Sequence, residues 1–345
     1  MTAGQLRPET LPEDTRRILE GIEEGRRGAL ARAITWIENG DPRAAPLLDF
    51  LQPRTGQAWR TGITGPPGAG KSTLVDGLTR YWSEQGRKTA LLAVDPSSPF
   101  SGGALLGDRV RLDRALEQTD VFVRSMANRG SLGGLALATG AAADLLDAFG
   151  FEEIVLETVG VGQAEVDIAA AADVTVVVLT PASGDGVQAM KAGLMEVGDV
   201  FVVNKADEGG AERLAAELEQ MLALRQAQRE PDEGPDRQLV PENPRILVAS
   251  AREGRGIEAL AGAIEETRRE GMASGRVPAL REQRALMRVR RLLAEGLRAA
   301  IWENRRLRRG VRQALARGEG PDAFARRLLQ AIFNRLDPDE PEEPA

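Results

Sequence analysis

The string Gly65-Pro66-Pro67-Gly68-Ala69-Gly70-Lys71-Ser72-Thr73 has the GxxxxGK[ST] spacing of a phosphate-binding loop. Glycines at 65, 68 and 70 let the backbone curl until successive N–H groups point inward, and the helix that follows adds the positive end of its dipole. Pro66, Pro67 and Ala69 complete this anion nest. Lys71 sets a compact charge between a β- and a γ-phosphate, the Ser72 hydroxyl can ligate Mg²⁺, and Thr73 meets the α-phosphate. Further along, Asn204-Lys205-Ala206-Asp207 follows the apolar run 200–203. An aspartate at the carboxyl end of a parallel strand can accept both N1–H and N2–H of guanine, whereas adenine offers no matching donor pair. The spacing therefore predicts GTP in preference to ATP. The Lys205 stem can lie against the purine face, and Asn204 can tie its loop to the phosphate loop. Ser250-Ala251-Arg252, after an expected strand at 245–249, adds a backbone N–H for the guanine O6.

The elements that must hold these strings can be read from periodicity. Residues 59–64 read as a short strand and 72–83 as a helix, the context the phosphate loop requires. Residues 1–55 look helical, with amphipathic runs at 14–24 and 26–39 and a break at Gly40-Asp41-Pro42. Between 56 and 272, apolar strands at 89–94, 121–123, 154–156, 174–179, 200–203 and 246–248 alternate with helices. That alternation predicts an α/β fold, a P-loop domain with a mostly parallel doubly wound sheet. The stretch 229–244, rich in Pro, Asp and Glu, is expected to be an exposed loop. Residues 273–345 form a C-terminal helical segment, expected to break near Gly310 and at 318–321. Arginines there far outnumber acids, and an acidic tail at 337–343 follows.

Composition narrows the chemistry. With 345 residues, 42% of them hydrophobic, and no apolar stretch near 18 residues, the chain is expected to be soluble and globular. Residues 1–20 are polar and show no export signal, so a cytoplasmic location is expected. A net charge of −7 argues against a general nucleic-acid binder. The chain contains neither histidine nor cysteine. Imidazole and thiolate ligands for zinc or nickel are thus missing, as is a histidine general base. Phosphate electrostatics, Mg²⁺, carboxylates and backbone donors must do the work.

Lysine is rare: Lys71, Lys88, Lys191 and Lys205 stand among 45 basic residues. Where lysine persists against arginine, its geometry matters. Two of the four lie in the nucleotide strings, which singles out Lys191; Lys88 has no assigned role. In the position where GTPases carry DxxG, with the acid on the Mg²⁺ water shell and the glycine amide on the γ-phosphate, stand Glu157 and Gly160. No glutamine follows directly, since Gln163 is displaced, and slow intrinsic hydrolysis is expected.

These segments resemble the MeaB-like GTPases, together with Leu92 to Arg109, the stretch Asn128-Arg129-Gly130-Ser131-Leu132-Gly133-Gly134-Leu135, and Gly184-Asp185 with Gln188 and Lys191. Those proteins, once labelled LAO/AO transport ATPases or kinases, are G-protein chaperones of adenosylcobalamin-dependent methylmalonyl-CoA mutase. The resemblance covers most of the chain. It implies that Ser72, Asp95, Asp108 and Glu157 surround Mg²⁺, that Asp185, Gln188 and Lys191 belong to a switch loop the mutase reorganises, and that the chain is a homodimer joined by its C-terminal arm. Helical spacing of Leu292, Leu293, Leu297, Ile301 and Trp302 agrees with such an arm. The sequence departs from the pattern at Gly186, where an acid is usual, at Ala192, where a second lysine is usual, and at Ser131, where a histidine is common. Two other functions compete: a metal-insertion GTPase, which normally carries the absent Cys/His ligands, and a kinase or ATPase linked to amino-acid transport, which needs ATP.

Overall fold

The computed structural model describes residues 7–95, 120–127, 134–158, 164–181, 194–227, 241 and 243–336, and the elements are numbered over these. Seven strands form one sheet: β1 (Trp59–Thr64), β2 (Thr89–Asp95), β3 (Phe122–Ala127), β4 (Glu153–Thr158), β5 (Val174–Leu179), β6 (Val200–Val203) and β7 (Arg245–Val248). Their order is β3-β2-β4-β1-β5-β6-β7, and every pairing is parallel. All seven carboxyl ends therefore share one edge, with β1 in the middle.

Strands covered on both faces read as unbroken apolar runs, and successive side chains go to opposite sides. Leu91, Val155, Val176 and Val202 pack with α4 (Lys71–Glu84) and α9 (Ile257–Ala273) on one face. On the other, Leu92, Ile154 and Leu156 pack with α1 (Glu13–Glu23), α2 (Arg27–Glu38), α3 (Ala44–Leu51), α5 (Gly134–Phe149) and α6 (Ala164–Ala171). Val177, Phe201 and Val203 continue that face beneath α7 (Leu194–Val197) and α8 (Ala211–Ala227). The sheet is thus doubly wound. β3 runs beyond the expected 121–123 because Arg124 and Ser125 interrupt its apolar pattern without ending the strand. Arg124 finds partners on α2, its guanidinium Nη2 donating to Thr35 Oγ1 at 3.0 Å and pairing with Glu38.

Acids at the amino ends of the strands are locked by arginines from distant sequence. Glu153, opening β4, and Arg268 on α9 are both buried and form an ion pair of 2.6 Å, with Arg268 also donating to Thr61. Asp147 accepts the backbone N–H groups of Gly56, Gln57 and Ala58, which fixes the entry to β1. Asp173, just before β5, accepts from Arg60 N–H, Arg281 and Arg284. Asp199, just before β6, pairs with Arg276 at 2.7 Å. The first compact unit extends to Arg284, so residues 276–284 belong to it.

Two of these carboxylates make opposite contributions to the pH dependence of stability. Burial alone would raise Asp173, but Arg284 and Arg281 outweigh it and leave its pKa at about 2. Its contribution, about 2 kcal/mol, is present above its unfolded pKa and lost as pH falls toward 2. Burial raises Asp199 to about 6 against the pull of Arg276. Its contribution is complete below the unfolded pKa and lost as pH rises through about 6. Asp173→Asn is expected to lower the unfolding free energy at pH 7 by about 3 kcal/mol, because two arginines lose their counter-charge. It should also shrink the loss of stability between pH 4 and 2. Urea unfolding across that range checks both, and a mutant as stable as the parent at pH 7 removes Asp173 from the lock.

The second unit, from Ala285, contains the remainder of α10 (Arg276–Glu303), α11 (Arg305–Ala316) and α12 (Pro321–Leu336). The first break falls at Asn304, not near Gly310. Asn304 caps α11 by accepting N–H from Arg306 at 2.9 Å and Leu307 at 3.2 Å. Gly310 sits inside that helix at a cost of about 1 kcal/mol, which a good cap offsets. Leu286, Val289, Leu292, Leu293, Leu297 and Trp302 are exposed along α10. Among the described residues, no helix is long and apolar enough to cross a membrane.

Candidate nucleotide site

The phosphate loop joins the carboxyl end of β1 to the first turn of α4, in the middle of the edge where all seven strands end. Three of its glycines have positive φ, Gly65 at 136°, Gly68 at 76° and Gly70 at 85°. Two also lack room for a side chain. A Cβ on Gly65 would lie 2.1 Å from the Val178 carbonyl oxygen, and one on Gly70 would lie 2.4 Å from Asn204 Nδ2. A backbone packed this closely against β5 is a rigid cradle, suited to holding an anion through N–H groups at a helix start. Lys71 opens α4, is buried, and donates from Nζ to the carbonyls of Gly65 at 2.7 Å and Pro66 at 3.0 Å. The ammonium group thus lies over the loop it is expected to serve.

Ser72 and Glu157 come together. The serine hydroxyl donates to Glu157 Oε1 at 2.7 Å, and the glutamate is buried at the end of β4. A hydroxyl beside a carboxylate is a pair of hard oxygen donors, which fits Mg²⁺ and suits no softer metal. Asp95 ends β2 on the same edge. Its side chain, and Asp108, Gly160, Asp185, Gln188 and Lys191, lie outside the described residues.

The base-reading strings converge through Asn204, which follows β6 and is buried. Its Nδ2 donates to the Ala69 carbonyl at 2.8 Å, and its Oδ1 accepts the Ala251 N–H at 3.0 Å. One amide therefore ties the phosphate loop, the 204–207 loop and the 250–252 loop together, as the sequence led us to expect for the first two. Lys205 adopts a left-handed backbone with φ 61°, strain of the kind a surrounding network must hold in place. Asp207 accepts from the buried Ser250 hydroxyl at 2.6 Å, and that hydrogen bond, ahead of other causes, lowers its pKa below the usual carboxylate range. The aspartate is thereby held ionised and oriented, as an acceptor for paired N–H donors must be. Arg252 lies in the short turn Ala251–Glu253 after Ser250 and adds positive potential near Asp207.

Sequence reading missed the support beneath the loop. Thr158 Oγ1 lies 3.3 Å from Thr64 Oγ1, both buried, and joins the ends of β4 and β1 directly under the cradle. Threonine in a strand signals only a fit to a pleated surface, so nothing marked this pair in advance. Ser250 as the orienting partner of Asp207 was likewise hidden, because it was chosen for the backbone around it.

A family model described as "Methylmalonyl Co-A mutase-associated GTPase MeaB" matches residues 30–306. A Pyrococcus abyssi protein named as a GTPase is 46% identical over 267 residues, covering 77% of this chain and 80% of its own length. A Mus musculus protein named "Methylmalonic aciduria type A homolog, mitochondrial" is 32% identical over 340 residues, covering 92% of this chain and 80% of its own. A crystal structure of a LAO/AO transport system kinase superposes with a TM-score of 0.65 at 28% identity, covering 94% of this chain and 99% of that one.

Proposed function

Because the chain belongs to the MeaB family of mutase-associated GTPases, we propose that it is a GTP-hydrolysing chaperone of an adenosylcobalamin-dependent acyl-CoA mutase of the methylmalonyl-CoA mutase type. It would couple hydrolysis to loading and protection of the mutase cofactor. The observation that carries this reading is the family match over residues 30–306, which takes in the phosphate loop, Glu157 and the guanine strings together.

The residues divide the work as follows. The amides of residues 65–73 bind the phosphates, Lys71 offsets their charge, and Asp207, oriented by Ser250, selects guanine. Ser72 and Glu157 would hold Mg²⁺, with Asp95 and Asp108, and the ion would supply neutralisation of phosphate charge when bound. Gly160 would donate its amide to the γ-phosphate, Lys205 would pack on the base, and Ala251 and Arg252 would border it. Hydrolysis would be slow until the mutase orders the loop bearing Lys191, which then adds positive charge to the transition state.

The test is hydrolysis with and without the purified mutase. Lys191→Ala should preserve GTP affinity and basal turnover while lowering stimulation about tenfold or more. A variant that binds mutase normally and is stimulated as fully as the parent excludes Lys191. No stimulation of the parent protein by any acyl-CoA mutase would overturn the functional reading itself.

Homodimerisation through the arm is part of the same proposal. The exposed row Leu286, Val289, Leu293 and Leu297 recurs at helical spacing and needs a partner surface. A chain ending at Arg284 keeps the arginines that serve Asp173 and Asp199, and light scattering should find it monomeric where the full chain is dimeric. A persistent dimer would place the interface elsewhere. One observation favours the transport-kinase reading, the name carried by the superposable crystal structure. Tight ATP binding and phosphorylation of an amino-acid-binding protein would support it.

A further inference from the structure

Between Arg305 and Gly318 stand six arginines and no acid. Within α11, Arg305, Arg306, Arg308, Arg309 and Arg312 are all exposed, while Leu307, Val311 and Ala314 are partly covered on another face. Among the described residues, none of those five guanidinium groups makes a hydrogen bond or ion pair. The arrangement is unfavourable as it stands. Arg305 with Arg309, and Arg308 with Arg312, are like charges four residues apart, and the first turn carries arginine with no acid against the positive end of the helix dipole. Each such term costs a few tenths of a kcal/mol, and an anion laid on this face would relieve all of them.

We propose that this anion is the chain's own acidic tail. Residues 337–345, which lie outside the described residues, hold Asp337, Asp339, Glu340, Glu342 and Glu343 and no base. They follow α12 directly, and α12 follows α11 after the short turn 317–320. Prolines at 338, 341 and 344 favour an extended segment, which at roughly 3.1 Å per residue spans about 28 Å. The 16 residues of α12 rise only about 24 Å. The acids end at Glu343, about 22 Å along that segment, so with the added reach of carboxylate and guanidinium side chains the tail can come back along α12 to the turn and to Arg312. Tethering places it at an effective concentration in the millimolar range, ahead of free anions of the same chemistry. The tail thus shields the arginine face from other polyanions and stabilises α11 through charges its own sequence lacks.

The chain has no cysteine, so introduced thiols label uniquely. Gln313→Cys and Ala345→Cys, carrying nitroxides in the full-length protein and diluted with unlabelled chain, report the tail-to-helix distance by pulsed electron resonance. At low salt a narrow, short-distance population is expected. It should broaden and lengthen in 1 M sodium chloride, where the screening length is about 3 Å, and equally in Arg308→Glu/Arg309→Glu/Arg312→Glu. A tail neutralised by Asp339→Asn, Glu340→Gln, Glu342→Gln and Glu343→Gln leaves α11 untouched and should give the same lengthening. A broad distribution unchanged by salt or by either set of substitutions overturns the proposal. So does a short distance that vanishes on dilution, which would assign the tail to a second copy.

Discussion

Lys71→Ala is expected to reduce GTP hydrolysis by roughly 10²- to 10³-fold, with a comparable loss of nucleotide affinity. Charge-assisted hydrogen bonds to an anion contribute about 1.5–3 kcal/mol each, and a buried ammonium placed to meet two phosphates would make more than one. Lys71 already donates to the Gly65 and Pro66 carbonyls, so its removal also unties the loop from the start of α4. Lys71→Arg should recover little of the loss, because a planar fork does not fit where a compact charge on a flexible stem did. Fluorescent GTP-analogue binding and phosphate release measure the two effects. Thermal unfolding of the unliganded variant serves as the control for folding. Near-parental turnover in Lys71→Ala would mean that the phosphates bind elsewhere.

Asp207→Asn should transfer preference from guanine to xanthine nucleotides, with GTP affinity falling by about 10²-fold or more. The size follows from leaving paired N–H donors without their acceptor in a site built for them, a mismatch of several kcal/mol. Xanthine carries an oxygen where guanine has its exocyclic amine, and an asparagine amide can donate to it. Ser250→Ala should act in the same direction but more weakly, since the 2.6 Å hydrogen bond from Ser250 orients the carboxylate without touching the base. Competition binding with GTP, ATP and XTP gives all three values. Equal affinity of the parent protein for ATP and GTP would sink the guanine assignment and revive the kinase alternative.

These two predictions could be framed from sequence because both strings are local chemistry. A phosphate loop needs glycines at fixed offsets and a lysine at the helix start, and the base-reading aspartate needs a strand before it. Such constraints operate within a few residues, so 65–73 and 204–207 are legible wherever they stand. The helical starts at Glu13 and Arg27, and the alternation of strands and helices, were legible for a similar reason, since apolar period directly reflects which face is buried.

Local reasoning failed where a polar residue was read without its distant partner. Arg124 and Ser125 seemed to end a strand that continues to Ala127, because Glu38 and Thr35 of another element pair with the arginine's Nη2. Gly310 looked like a helix break, but Asn304 supplies the cap that decides the boundary. Arg281 and Arg284 stood out in the sequence only as part of the arginine excess of the C-terminal segment, yet they neutralise Asp173 at the opposite edge of the sheet from the nucleotide loops.

By itself the sequence determined the α/β class and pointed to the phosphate loop and the guanine string, each a matter of residue type at short spacing. Only the tertiary structure decided the strand order that brings Glu157 to Ser72, sets Asn204 between three loops, and places Ser250 on Asp207. The physical reason is that these hydrogen bonds join residues dozens of positions apart. Their partners are fixed by sheet order and register, which depend on how all seven strands share two apolar faces.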